Sequence, residues 1–320
     1  MIPSWLYLSL TAVGLWGLWG LQSKLVSSEG PWHIGPYANH VLSTAGLFCV
    51  LPALFLSWGA APRRGRLRGG AAAIVSGIVG SVGNILVYRA LDLGGLASVV
   101  FPLSGLYPIV TIVLAVTLLR ERLSLPQILG LPISICAIYL LSLEPTSSAG
   151  QVSSAMLRET WLALACGSLV LWGLSGTLQK VATGFLSPQR TFALFALGYL
   201  VTASYLLAVE SLALRSLEWS VLALGIAGGL LNGLGVLALL AALARGGKAS
   251  VVVPLTALYP VVTMGLAMAL LGESPGMLQK LGAIGAVAGG MLLAVEKTGA
   301  VPDAHEGRDP RDSTANGDTP

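Results

Sequence analysis

Long apolar runs separated by short polar connections dominate the chain. Asp, Glu, Lys and Arg are absent from residues 1–23, 34–62, 69–88, 93–119, 123–143, 160–179, 191–209, 219–244 and 249–272. A helix needs about 20 mostly apolar residues to cross the roughly 30 Å of bilayer hydrocarbon, so each of these nine segments is predicted to span a membrane. A tenth, residues 277–295, is interrupted only by Lys280 near one end, where a long side chain carries its ammonium to the interface. The first segment has no basic residue ahead of it and no clear cleavage site, so it reads as a retained helix rather than a leader. The pattern thus predicts an all-α integral membrane protein of about ten transmembrane helices.

Composition agrees. Apolar residues make up 55% of the chain and charged residues 10%, against about 25% charged in soluble domains. The lipid bilayer is the expected partner. The net charge of +4 raises nucleic acid as a partner, but the placement of the charges excludes it, because the basic residues mark membrane topology. With a cytoplasmic N-terminus, Arg63, Arg64, Arg66, Arg68, Arg120, Arg122, Lys180, Arg190, Arg245, Lys248 and Lys297 fall inside. Only Lys24, Arg89, Arg158, Arg215 and Lys280 fall outside. This asymmetry places both termini in the cytoplasm and suggests a multi-pass protein of the cell membrane. Residues 298–320 are polar, too poor in apolar side chains to pack, and read as a disordered cytoplasmic tail.

The strongest signal is internal. Residues 97–119 read ASVVFPLSGLYPIVTIVLAVTLL and residues 249–271 read ASVVVPLTALYPVVTMGLAMALL, identical at 15 of 23 positions without a gap. LWGLWGLQSK (15–24) answers LWGLSGTLQK (171–180), Asn84 answers Asn232, and Glu121 and Gln127 answer Glu273 and Gln279. The chain therefore divides into a first five-helix repeat over 1–144, a linker over 145–157 and a second five-helix repeat over 158–297. Five is odd, so the second copy enters the membrane from the opposite side. Two halves related by a pseudo-twofold axis in the membrane plane suit alternating access.

These residues resemble the EamA-type proteins of the drug/metabolite transporter superfamily over nearly the whole chain. The resemblance rests on Trp16-Gly17 and Trp172-Gly173, on the segments from Pro102 to Pro108 and from Pro254 to Pro260, and on Glu121 to Gly130 and Glu273 to Gly282. It implies a ten-helix carrier with a central cavity lined mainly by the first, third, fourth, sixth, eighth and ninth helices, moving amino acids, nucleotide precursors, other metabolites or drugs.

The residues themselves point to the same helices. Pro102 with Pro108, and Pro254 with Pro260, each remove a helical donor, so the fourth and ninth helices are expected to be kinked, with freed carbonyls. Such matched breaks mark binding sites in inverted repeats, or merely shape the bundle. Ser104, Tyr107 and Thr111 form one helical stripe, and Thr256, Tyr259 and Thr263 repeat it. Ser81, Asn84 and Tyr88 form another, with Asn232 the counterpart of Asn84. Asn84 and Asn232 either hold a ligand or bond a neighbouring helix. Trp16 and Trp172 are either cavity walls or interfacial anchors. The candidate substrate-binding set is thus Trp16, Asn84, Tyr88, Ser104, Tyr107, Thr111, Trp172, Asn232, Thr256, Tyr259 and Thr263. Lys24 and Lys180 snorkel to the interface or bind an anion. Glu121 and Glu273 are read as structural, each placed to meet a positive helix N-terminus just before the fifth and tenth helices.

Neither a metal nor a cofactor is expected. Cys49, Cys136 and Cys166 stand singly in apolar segments and read as small packing residues. His33, His40 and His305 have no metal-spaced or nucleophile-like companion, which argues against an enzyme. No acidic residue falls near the middle of a predicted span, the nearest being Glu210, so proton-driven export of organic cations is disfavoured. The reading that follows is a secondary transporter of a small polar metabolite such as an amino acid, export being the favoured direction. The alternative is a non-transporting sensor or assembly subunit on the same scaffold.

Overall fold

The computed structural model describes residues 3–52, 65–118, 123–143, 152–212, 214, 217–245, 252, 255–256 and 258–295. The tail 298–320, linker residues 145–151, Glu121, Pro254, Arg63, Arg64, Arg120, Arg122, Arg215, Lys248 and Lys297 lie outside them.

The described chain is all-helical: α1 (Ser4–Ser27), α2 (Pro36–Phe48), α3 (Arg66–Asp92), α4 (Ala97–Ser104), α5 (Pro108–Leu118), α6 (Leu125–Ser142), α7 (Val152–Thr183), α8 (Pro188–Val209), α9 (Trp219–Ala244), α10 (Tyr259–Leu270) and α11 (Met277–Ala294). Among the described residues, five stretches are long and apolar enough to cross a membrane: Arg66–Asp92, Ala97–Leu114, Thr160–Thr183, Gln189–Val209 and Trp219–Leu239. Helix α7 starts at Val152, so its first turns occupy part of the segment read as linker.

Local chemistry sets the helix ends. Pro36 and Pro188 open α2 and α8 at the position where a missing N–H costs nothing. The Ser187 hydroxyl accepts from the Arg190 amide at 3.4 Å. Gln127 and Gln279 each reach back to a backbone N–H before their helix, Ser124 at 2.9 Å and Gly276 at 3.0 Å. The fourth segment is broken at residues 105–107. Pro108 cannot donate to the Ser104 carbonyl, and the chain there closes with three-residue bonds, Tyr107 to Ser104 and Ile109 to Leu106.

The two halves interlock. Helix α3 packs on α7 and α8, and their repeat counterparts repeat the pattern, α9 packing on α1 and α2. Likewise α1 packs on α10 as α7 packs on α5, while α6 pairs with α11. Glycines permit this closeness. A Cβ on Gly77 would meet the Phe195 carbonyl, and one on Gly229 the Ser43 carbonyl. Large apolar side chains point outward on α6, α8 and α11, among them Tyr139, Tyr205 and Ile284, a surface suited to lipid rather than water. Cys49 and Cys136 are also exposed and Cys166 only half-buried. Cys166 packs against the core as expected, whereas Cys49 and Cys136 lie at the surface and not in the packed interior.

Candidate functional site

Where the two halves meet, they enclose a cavity of about 310 Å³. Its walls come from α1, α2, α3, α7, α8, α9 and the two proline-interrupted segments. Trp16, Asn84, Tyr107, Trp172, Asn232 and Tyr259, all singled out in the sequence, line it together.

These six residues form two matching triads that exchange halves. On one side the Trp16 indole donates to the Asn232 backbone carbonyl at 3.2 Å and meets the Tyr259 ring edge-on, with centroids 6.0 Å apart. On the other the Trp172 indole donates to Asn84 Oδ1 at 2.9 Å and meets the Tyr107 ring edge-on at 6.3 Å. Each triad takes its Trp from one repeat and its Asn and Tyr from the other, so the cavity wall forms only when both halves assemble. The helices beneath are stitched equivalently. Thr263 donates to the Gly17 carbonyl at 3.2 Å and Thr111 to the Gly173 carbonyl at 3.1 Å.

The other candidates lie elsewhere. Thr111 and Thr263 hold helix pairs and do not line the cavity. Ser104 is buried, accepting from the Ser168 hydroxyl at 2.8 Å. Tyr88 is fully buried and accepts from the Trp19 indole at 3.4 Å. Thr256 is buried outside the lining. Pro102 sits inside α4, and Pro108 and Pro260 begin or flank the helices after the breaks. Glu273 meets a different helix from the one it precedes. Its carboxylate accepts from the Ala97 and Ser98 amides, both at 2.8 Å, at the N-terminus of α4. The loop after α10 folds back across the repeat boundary, which sequence position cannot reveal.

Two further stripes join the walls. Ser175, Gln179 and Thr183 follow one face of α7, and Phe192, Phe195 and Tyr199 one face of α8. Both have helical spacing and were visible in the sequence, but the α7 stripe is not repeated residue for residue: it answers Trp19, Ser23 and Ser27 on α1. Trp19 forms the floor, packed edge-on against Phe101 at 5.5 Å and beside Trp172 at 6.1 Å. Among the described lining residues none is Asp, Glu, Lys or Arg.

Gln179 and Thr183 near the C-terminus of α7, and Thr191 near the N-terminus of α8, line one end of the cavity, where Thr183 is exposed. Helix α1 touches α3 and α4, and α2 touches α3, whereas the repeat-related α7–α9 and α8–α9 pairs do not meet to that degree among the described residues.

Comparison with known proteins accords with this architecture. A profile of the EamA-like transporter family matches twice, over residues 3–143 and 159–295. An uncharacterized protein of Methanocaldococcus jannaschii is 42% identical over 72 residues, 22% of this chain and 52% of that protein, so the chain spans about half the length of that relative. A solved structure described only as a crystal structure of a protein superposes with a TM-score of 0.58 at 17% identity, covering 90% of this chain and 95% of the other, which establishes likeness of fold alone. With two profile matches covering nearly all of both repeats, the chain belongs to the EamA-like transporter family and is a multi-pass membrane protein.

Proposed function

We propose that the protein is a secondary carrier that moves a small polar solute of no net charge, such as a zwitterionic amino acid, by alternating access of its two halves. The carrying observation is the cavity between the two halves with its paired Trp–Asn–Tyr triads. Indole and phenol faces bind an apolar or π-rich body, while the Asn232 side-chain amide, which has no partner among the described residues, supplies a donor and an acceptor. A solute of net charge would enter this wall without a counter-ion, at a high desolvation cost. In this reading ten spans cross the membrane with both termini cytoplasmic, the cavity mouth faces the cytoplasm, and export is the working direction. Matched proline breaks in both halves and the inverted repeat support the rocking motion.

Reconstitution into liposomes tests this. Counterflow of labelled neutral solutes is expected for one chemical class, and Asn84→Ala with Asn232→Ala is expected to reduce the rate about tenfold or more while the protein stays monodisperse. No movement of any solute in a broad metabolite set, with a verified family member active alongside, would refute the carrier and favour a non-transporting sensor or assembly subunit.

A further inference from the structure

The two asparagines of the cavity are not equivalent. Close helix contacts fix the register in which α3 answers α9. A Cβ on Gly77 would meet Phe195 and one on Gly229 would meet Ser43, and each residue stands 152 positions from its counterpart. Gly46 against Ile226 and Leu230 is likewise repeated by Gly198 against Ile74 and Ile78, and Gly83 against Trp172 by Gly235 against Trp16. In this register Asn84 answers Val236, and Asn232 answers Gly80. The pairing of Asn84 with Asn232 read in the sequence is one helical turn out, because glycine-rich apolar helices align almost as well four residues apart.

Each asparagine therefore has its own surroundings. Asn84 is 4% exposed and its amide is in use: Oδ1 accepts from the Trp172 indole, and the buried Tyr88 hydroxyl faces the same side chain. Val236 offers Trp16 no such acceptor. That indole turns instead to the Asn232 backbone carbonyl, which leaves the Asn232 side chain without a partner among the described residues. At the answering position a side chain has no room, since a Cβ on Gly80 would meet Ser175 and Phe195. Asn232 is only half-buried and lines the cavity. Beside the same Trp16 stands Tyr259, buried, lining the cavity, its hydroxyl also without a partner among the described residues. Polar groups enclosed by a protein are normally satisfied, so a free amide next to a free hydroxyl in an aromatic wall is a contact left for a guest.

We infer that Asn232, with Tyr259 beside it, is the specificity-determining contact of the cavity, taking a head group of no net charge that both donates and accepts, and that Asn84 is a positioning residue that fixes the Trp172 wall without touching the solute. The inference rests on the carrier reading for what the solute is, but its test reads binding and spectra rather than flux. Eight of the nineteen described lining residues are aromatic, so the probe carries a ring. Phenethylamine, an ammonium on a phenyl ring with no carboxylate, is titrated into the purified full chain in detergent, and its affinity is read from the rise in melting temperature. Asn232→Asp is expected to bind it about tenfold or more tightly than the parent, because the new carboxylate faces the cavity. Asn84→Asp, whose carboxylate would face Trp172 and Tyr88, is expected to bind it as weakly as the parent. Equal gains in both variants, or no gain in Asn232→Asp, overturn the inference. Asn84→Ala is expected to shift the tryptophan emission, as Trp172 loses its acceptor, and the shift to vanish in a Trp172→Phe background, while Asn232→Ala leaves the emission in place. No shift in Asn84→Ala overturns the positioning role. If either Asp variant does not fold, Asn84→Cys and Asn232→Cys are made singly in a Cys49→Ala, Cys136→Ala, Cys166→Ala background. A small methanethiosulfonate must then react with Asn232→Cys about tenfold or more faster than with Asn84→Cys, and equal rates overturn the inference. Failed counterflow with these results would refute the carrier and leave the assignment of Asn232 standing.

Discussion

One stripe of side chains occurs twice in this molecule and lives in two different worlds. On α7, Ser175, Gln179 and Thr183 line an open cavity. On α1 the position equivalent to Ser175, Trp19, is likewise buried and lines the same cavity, but Ser23 and Ser27, equivalent to Gln179 and Thr183, are 0% and 1% exposed and do not line it. The surrounding helices are copies of each other, so the difference is not in local propensity. It lies in how tightly the flanking helices close. Trp19 fills the space that Ser175 leaves empty, and the α3–α4 turn is clamped against α1 and the loop after α10. The lesson is that a duplicated unit makes two equivalent ends, while a few bulky and charged side chains decide which is shut.

The largest expected effect comes from breaking the shared scaffold. Gly229→Val puts a side chain against the Ser43 backbone carbonyl and the Leu47 amide, neither of which can retreat, so a loss of about 3 kcal/mol or more is expected. A melt of purified protein checks it, with Gly14→Ala, which meets nothing within 4 Å, as the near-neutral control. Next, Trp19→Ser converts the sealed end to the composition of the open one. Losing that buried indole is expected to cost about 3–5 kcal/mol and to admit labelling at Ser23→Cys. The reciprocal Ser175→Trp loses the hydroxyl bond to the Ser76 carbonyl and crowds Gly80, so it is expected to lower stability and, in the protein that folds, to abolish ligand-induced stabilisation, because the added ring occupies the cavity. If Ser175→Trp still binds, the cavity is not the site. The smallest effect sharpens the equivalence of the halves. Thr111→Val and Thr263→Val each remove one hydroxyl bond to a glycine carbonyl and are expected to cost a similar amount, about 0.5–1.5 kcal/mol. A clear inequality would place the two helix pairs under different load.

Much of the lining of the candidate cavity was legible before the fold. Trp16, Asn84, Tyr107, Trp172, Asn232 and Tyr259 stood out because polar or aromatic residues repeated between halves are rare in apolar helices, and these six converge on the cavity. Tyr88, Ser104, Thr111 and Thr263 shared the same periodicity but face neighbouring helices. Periodicity names a face of a helix and not what lies opposite it. Ser175, Gln179 and Thr183 were missed for the converse reason: their repeat partners differ, and a search by repetition discards what the halves do not share.

The amino-acid sequence by itself determined the solvent, the helical architecture, the duplication and the breaks at the prolines, because apolar run length, repeat identity and a missing N–H act locally or by direct comparison. Only the tertiary structure decided which helix Glu273 caps, which of two equivalent stripes faces the cavity and which end is sealed. Those outcomes depend on how two nearly identical surfaces close on each other, a free-energy difference set by long-range packing and a handful of buried bonds that no single segment contains.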